Sequence, residues 1–293
     1  MKHVYTLEDL KEGNLPENTK LAVLGYPVSH SASPQMHQAA LDALGIDVKY
    51  IRLELEPGSL SEAFELMQKH EFIGCNVTIP HKFEARENCD EVSASVELLG
   101  VANTIHFKDG KIYGDNTDGP GLLRALEDDF QCSLTGLRVL VVGAGGGAGK
   151  AIATQMNQAG CASLILANRT VSKVQALADN LEKTGTEISV LGNSSDELAS
   201  VANDVDIIIN ATSMGMKEDD EVPFPVEALL ASHKVYDAIY KPAETRLLAA
   251  ARANKAQAAN GLSMLIHQGA VSFELWFGQQ PDVSLMRQAI AIQ

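Results

Sequence analysis

Val139-Leu140-Val141-Val142 runs without interruption into Gly143-Ala144-Gly145-Gly146-Gly147-Ala148. A strand that feeds a G-x-G-x-x-A turn and then a helix suits a bound pyrophosphate. Gly143 permits the tight turn, Gly145 lets the backbone approach the phosphates, and Ala148 lets the next helix pack closely on the sheet. The helix N-terminus adds free N–H groups and the positive end of its dipole. The cluster predicts a dinucleotide site on Gly143, Ala144, Gly145, Gly146 and Gly147. The next apolar run ends in Leu166-Ala167-Asn168-Arg169-Thr170. An acid here would hold a ribose 2′-hydroxyl, and the chain has none. Arg169, with Thr170 and Lys173 near it, suits a 2′-phosphate instead, so the cofactor expected is NADP rather than NAD.

Four further polar clusters interrupt the first half: Gly25-Tyr26-Pro27-Val28-Ser29-His30-Ser31-Ala32-Ser33-Pro34, Asn76-Val77-Thr78-Ile79-Pro80-His81-Lys82, Val101-Ala102-Asn103-Thr104, and Gly114-Asp115-Asn116-Thr117-Asp118-Gly119. Each alone has a structural explanation. Ser33-Pro34 makes a helix N-cap with proline at N1, Asn and Asp beside Gly make turns, and a lone Lys82 is a solvated charge. Four in order, followed by a dinucleotide element, point to an active site.

The elements that must carry these residues alternate. Leu21–Leu24, Val48–Leu55 and Phe72–Thr78 are strand-like, and Pro34–Leu44 and Ser59–Gln68 have helical spacing. Asn103–Phe107 and Lys111–Tyr113 flank an Asp109-Gly110 hairpin turn. A helix fits Gly119–Phe130. A second series starts with strand Arg138–Val142 and helix Ala151–Ala159, with strands at Ser163–Ala167, Ile188–Leu191, Asp206–Asn210 and Lys234–Ala238. Helices over Gly261–Phe277 and Val283–Ile292 close the chain. The rhythm predicts an α/β protein of two α/β domains with mainly parallel sheets. One domain comprises 1–120 plus 260–293, the last helices returning to it. The other, 121–259, is Rossmann-like. Residues 1–18 read as an extension without a functional signal.

At 293 residues, 45% hydrophobic and 21% charged, the chain supports two ordinary globular cores. A net charge of -15 argues against a nucleic-acid partner. No apolar run reaches the roughly 18–20 residues that span a bilayer, and the N-terminus lacks an export signal. Cys75, Cys89, Cys132 and Cys161 form no CxxC pair, so no metal site is expected and reduced thiols of a cytoplasmic protein are. A monomer or homodimer acting on a small molecule is expected.

The stretches GYPVSHSASPQMH, NVTIPHK, GVANT, GDNTDG, GAGGG, NRT, NATSMG, YDAIY and GLSMLIHQGA resemble the shikimate dehydrogenase family in order and spacing, over nearly the whole chain. The resemblance implies NADPH-dependent reduction of 3-dehydroshikimate to shikimate, on the way to chorismate and the aromatic amino acids. The substrate would lie between a catalytic domain and a Rossmann-like domain. It further implies that Lys82 and Asp118 are the catalytic pair. Ser29 and Ser31 would hold the substrate carboxylate. Thr78, Asn103, Tyr240 and Gln268 would bind ring hydroxyls or the carboxylate. Asn168, Arg169 and Thr170 would grip the adenosine end, and Thr212, Met214, Gly261 and Met264 would belong to the cofactor site. The chemistry agrees: hydride transfer to a ketone creates an alkoxide, and a lysine ammonium supplies both a proton and a positive charge. Two departures stand out. Gln38 follows His37 where the family usually has Asn, and the glycine loop Gly145–Lys150 is longer than the family's by one residue, with Lys150 where many members carry Arg. Quinate oxidation and NAD use remain open as alternatives, as does a sensor of NADP or a carbocyclic acid without turnover. Gly119, Gly121 and Gly261 are the expected hinge glycines.

Overall fold

A computed structural model describes residues 2–181 and 185–291. The chain forms two compact units, Met1–Gly121 with Ile266–Gln293, and Leu122–Leu265.

The first unit is built on β1 (Tyr5–Thr6), α1 (Leu7–Glu12), β2 (Thr19–Gly25), α2 (Ser33–Ala43), β3 (Lys49–Glu54), α3 (Leu60–Lys69), β4 (Gly74–Val77), α4 (Lys82–Glu87), β5 (Glu91–Val92), α5 (Ala94–Leu99), β6 (Thr104–Lys108) and β7 (Lys111–Asp115). α6 (Asp118–Phe130) begins in this unit and continues into the second. The sheet order is β1-β3-β2-β4-β6-β7-β5; β1, β3, β2 and β4 run parallel, and β6 is antiparallel to both its neighbours. Chain order reverses at β2, which places a topological switch point where β2 and β4 end side by side, the usual place for a ligand. Strand alternation divides the residues between two faces. Cys75 and Val77 of β4 join a core with Leu60, Ala63, Phe64 and Met67 of α3, an i, i+3, i+4, i+7 set. Asn76 points to the opposite face.

Residues 2–18 are integral to this unit. Tyr5–Thr6 pairs parallel with Leu53–Glu54, Leu10 is fully buried, and Thr6 and Asp9 form a capping box at the start of α1. The sequence understated them because two paired residues carry no periodicity. Ser33 also departs from expectation. It is the first residue of α2 rather than its cap: Ala32 occupies the cap position, and the amide of Ser33 donates to the Ser31 hydroxyl at 3.3 Å.

The second unit contains β8 (Arg138–Val142), α7 (Gly147–Gln158), β9 (Ser163–Ala167), α8 (Val171–Asn180), β10 (Glu187–Leu191), α9 (Ser195–Ser200), β11 (Ile207–Asn210), β12 (Lys234–Asp237), α10 (Arg246–Ala253) and β13 (Gln257–Asn260). α11 (Leu262–Phe277) starts here and continues into the first unit, followed by α12 (Val283–Ala291). The expected end of α12 at Ile292 lies outside the described residues. All six strands are parallel in the order β10-β9-β8-β11-β12-β13, the doubly wound arrangement, with a switch point between β8 and β11. Both faces are buried. Val139 and Val141 lie in one core, and Leu140 and Val142 in the other. This explains why the strand reads as a continuous apolar run.

His37 of α2 lies on the Asn76 face of the first sheet. It is fully buried, stacked on Tyr50 with ring centroids 4.6 Å apart, and neither ring nitrogen has a hydrogen-bond partner among the described residues. Burial lowers its pKa to about 3, so the ring is neutral in the folded protein. The unfolded chain takes up a proton below its ordinary value of 6.5, and the folded one only near 3. This histidine therefore costs stability progressively as pH falls through that window, by about 1.4 kcal/mol per pH unit. Chemical denaturation at several pH values should show a shallower acid loss for His37→Gln than for the parent chain. Parallel pH profiles would assign the proton uptake elsewhere.

Candidate active site

The loop after β2 carries both serines. Its backbone is fastened from behind: Ser31 O accepts from Arg52 Nε at 2.9 Å and Nη2 at 2.6 Å, Ser29 O lies 3.2 Å from His3 Nε2, and Glu54 accepts the amide of Val28 at 3.1 Å. Ser29 is exposed and Ser31 half-buried. The loop adjoins the turn after β4, since the Tyr26 amide donates to Ile79 O at 3.1 Å. Gly25 is required there because a β-carbon would stand 2.7 Å from Thr78 Cγ2. Thr78 O accepts the amide of His81, and Lys82 follows as the first residue of α4.

Lys82 Nζ donates to Asp118 Oδ2 at 2.5 Å, across 36 positions of sequence. Asp118 opens α6, where the Asn116 side chain accepts its amide. Its other oxygen, Oδ1, accepts from Asn103 Nδ2 at 2.8 Å. The Lys82 and Asp118 side chains keep about a quarter of their surface, 27% and 24%, so both can reach a ligand. Behind them lies a buried polar cluster. The amide of Thr117 donates to Asn103 Oδ1 at 2.8 Å, and the hydroxyls of Thr104, Thr117 and Ser272 lie 2.9–3.1 Å from one another. Asn76 Nδ2 donates to Ser272 and Thr104, and its Oδ1 accepts from Tyr50 OH at 2.8 Å. Ser272 donates to Gln268 O, and Gln268 packs so tightly on α6 that a β-carbon on Gly121 would stand 2.6 Å from its Cα.

The first unit thus gathers Lys82, Asp118, Asn103 and Thr78 with the serine loop, and ties Gln268 in through its backbone. Tyr240 lies in the second unit, 38% exposed and without a hydrogen bond among the described residues. Sequence reasoning missed Tyr50, Asn76, Thr104, Thr117 and Ser272 as positioning groups. Asn76, Thr104 and Thr117 each sit beside a predicted site residue in the same motif. Tyr50 and Ser272 carried no signal, because each reads as one more residue of a strand or helix and belongs to none of the polar loop clusters.

In the second unit Gly143 takes φ +86° at the end of β8, and a β-carbon on it would stand 2.5 Å from Thr212 Cγ2. α7 starts at Gly147, four residues earlier than expected, with Gly146 as its cap. Glycine propensity counted against a helix there, but the amides of the first turn are left for a ligand. Those of Gly147, Ala148 and Gly149 have no partner among the described residues. The close-packing position of the motif is also shifted. Ala148 is exposed, whereas a β-carbon on Gly149 would collide with Gly143 O and lie 2.7 Å from Ala144 Cα. The working pattern is G-x-G-x-x-x-G, one residue longer than the G-x-G-x-x-A first read. Gly145 is needed for a second reason: the Asn168 side chain stands over it, 2.7 Å from where a β-carbon would be, and donates to Thr170 O. Arg169 and Thr170 after β9 and Lys173 in the first turn of α8 are all exposed.

The turn after β11 is held by buried groups. Asn210 Oδ1 accepts from the amide and hydroxyl of Thr212, and its Nδ2 donates to Met214 O and to Asp237 Oδ1. Asp237 also accepts from Thr245 Oγ1 at 2.7 Å and from the Ile239 amide. Burial pushes this carboxyl up, and those hydrogen bonds hold it back. Met264 is half-buried against the same core. Gly261 and Gly121 have ordinary φ values, and Gly119 sits within α6. Gly261 lets the backbone approach Ala238 O closely, and Gly121 packs against Gln268 in the same way.

Two sheet units, one all-parallel and doubly wound with a glycine-rich turn at its first strand and one mainly parallel and bearing a lysine–carboxylate pair, define a two-domain α/β protein with a Rossmann-like unit. Residues 23–105 match the shikimate dehydrogenase substrate binding domain, residues 125–217 the shikimate / quinate 5-dehydrogenase model, and residues 261–291 the shikimate 5'-dehydrogenase C-terminal domain. The shikimate dehydrogenase (NADP(+)) of Methanopyrus kandleri is 38% identical over 94% of this chain and 95% of its own. That of Geobacillus kaustophilus is 40% identical over 92% and 96%. The crystal structure of Thermus thermophilus shikimate 5-dehydrogenase in complex with NADP(H) and shikimate superposes with a TM-score of 0.80 at 35% identity, covering 92% of this chain and 98% of that one. The chain belongs to the shikimate dehydrogenase family.

The revised glycine pattern predicts opposite outcomes at adjacent positions. Gly149→Ala should lower stability by about 1–3 kcal/mol, the usual cost of overpacking, and weaken NADP binding. Ala148→Val should leave melting temperature and NADP affinity close to normal. Equal tolerance at both positions would return the packing role to Ala148.

Proposed function

We propose that the chain catalyses reversible NADPH-dependent reduction of 3-dehydroshikimate to shikimate. The observation that carries this reading is Lys82 Nζ held 2.5 Å from Asp118 Oδ2, with Asn103 on the other carboxylate oxygen. The nicotinamide, when bound, supplies or accepts the hydride. Lys82 donates the proton that the developing alkoxide requires, and its charge stabilises that oxygen as it forms. In the oxidising direction it takes the proton back from the hydroxyl. Asp118 keeps the ammonium in register and accepts from the same hydroxyl.

Ser29 and Ser31 bind the carboxylate through their hydroxyls, and Thr78, Asn103, Tyr240 and Gln268 read the ring hydroxyls or that carboxylate. The capping bond at Ser31 leaves its own proton free to donate. The glycine turn and the open amides of α7 fit a pyrophosphate: Gly143, Ala144, Gly145, Gly146 and Gly147 would hold it. Asn168, Arg169, Thr170 and Lys173 would hold the adenosine end with its 2′-phosphate. Thr212, Met214, Gly261 and Met264 would line the nicotinamide side. The catalytic role would fall mainly to 1–120 with 260–293 and the cofactor role mainly to 121–259, with Tyr240 of the second stretch serving the substrate and Gly261 and Met264 of the first serving the cofactor. A cytoplasmic monomer or homodimer fits the four free cysteines, and a net charge of -15 disfavours nucleic acid and anionic membranes. Quinate, with one more ring hydroxyl, is the second substrate to test, because one matched family model spans both.

Steady-state rates with shikimate and with quinate, each with NADP and NAD, test the assignment. Shikimate with NADP should give the highest kcat/KM, and Arg169→Asp should weaken NADP about tenfold to a hundredfold while sparing NAD. A wild-type enzyme that uses NAD equally well, or turns over neither acid, would refute it.

A further inference from the structure

Arg52 of β3 is 7% exposed, yet no carboxylate pairs with it among the described residues. Its Nε and Nη2 donate to Ser31 O, and Nη2 also to Gln35 Oε1. Both of these acceptors are neutral. Nη1, with two N–H donors, has no partner among the described residues. A guanidinium held this deep without a counter-charge is costly, and its pKa is lowered by that burial. Arg52 also lines a groove of about 640 Å³ between the N-terminal segment and α2, which His3, Lys2 and Lys49 share. Asp42 is the one carboxylate among the lining residues, and it accepts from Gln38 Nε2. A groove of this size suits a small ligand, and its remaining walls include Tyr5 and Pro34.

We propose that this groove binds a small oxyanion, a phosphate or carboxylate group, on Arg52 Nη1, and that its occupant acts on the serine loop in front of it. A planar guanidinium with free N–H donors is built for such an anion. The link to the serine loop is direct, since Arg52 and His3 contact the carbonyl oxygens of Ser31 and Ser29. In the free protein the charge of Arg52 favours an anionic substrate at that loop. A bound anion cancels it, which raises KM for shikimate and leaves kcat unchanged. This kinetic consequence rests on the reading of Ser29 and Ser31 as carboxylate ligands, whereas anion binding itself does not.

The two parts are tested separately. Inorganic phosphate and citrate are titrated calorimetrically, at constant ionic strength, into protein saturated with NADP, so that the cofactor's own phosphate sites are filled. Saturable binding of either anion is expected. It should weaken about tenfold or more in Arg52→Met. Because Arg52→Met removes the anchor of the serine loop, Ala39→Glu serves as a second variant. It brings a carboxylate into the groove from α2 without touching Arg52, and should weaken binding equally. Absence of saturable binding, or binding unchanged in Ala39→Glu, overturns the site. Binding that is present but does not raise KM for shikimate overturns only the coupling.

Discussion

Asp118 must satisfy two donors at once, Lys82 Nζ on one oxygen and Asn103 Nδ2 on the other. The architecture of the first unit follows from that demand. Lys82 comes from the turn after β4, Asn103 from the segment entering β6, and Asp118 from the start of α6. A sheet that sets β4 beside β6, with β7 returning antiparallel, brings these three points together. The hydroxyl and amide cluster behind Asn103 fixes the orientation of its amide. Thr117 donates its backbone N–H to Oδ1, so Nδ2 faces the carboxylate. In a buried setting, an error in that orientation would strand several polar groups together. The cluster is therefore a specificity device as much as a source of stability.

The second unit meets the same need with different means. Asn210 and Asp237, both fully buried, hold the turn that carries Thr212 and Met214. Glycines act at the turn after β8: Gly143 against Thr212, Gly145 against Asn168, and Gly149 against the Gly143 carbonyl. Each of these removes a β-carbon so that two chain segments can approach, and the helix amides are left open as a consequence.

Helices were legible where their burial is periodic, as in α3, and core strands where burial on both faces makes an unbroken apolar run. Arg138–Val142 and Ser163–Ala167 were found to the residue. The shortest helices and the N-terminal strand were not. α4 and α5 span six residues each, too few for an amphipathic pattern, and Tyr5–Thr6 gains its order from pairing with β3. Polar residues in loops declared themselves by type, which brought out Lys82, Asp118, Asn103 and the serines. Ser272 and Tyr50 did not, because their partners lie 196 and 26 positions away from them at Asn76 and only the fold reveals the pairing. The extra residue of the glycine loop was legible, but the close-packing position was placed at Ala148 rather than Gly149, since sequence spacing cannot show which small residue faces the turn and which faces solvent.

The account stands on Lys82 and Asp118 acting as one unit, and a double-mutant cycle measures that directly. General acid–base catalysis contributes about 10²–10⁴-fold. Lys82→Met should lower kcat by that order with KM for NADP preserved, and Asp118→Asn should also be severe. The double variant should be little worse than the worse single, because the second loss removes a partner already idle. Multiplicative losses would show two independent groups, and a Lys82→Met enzyme with near-normal kcat would contradict the mechanism outright.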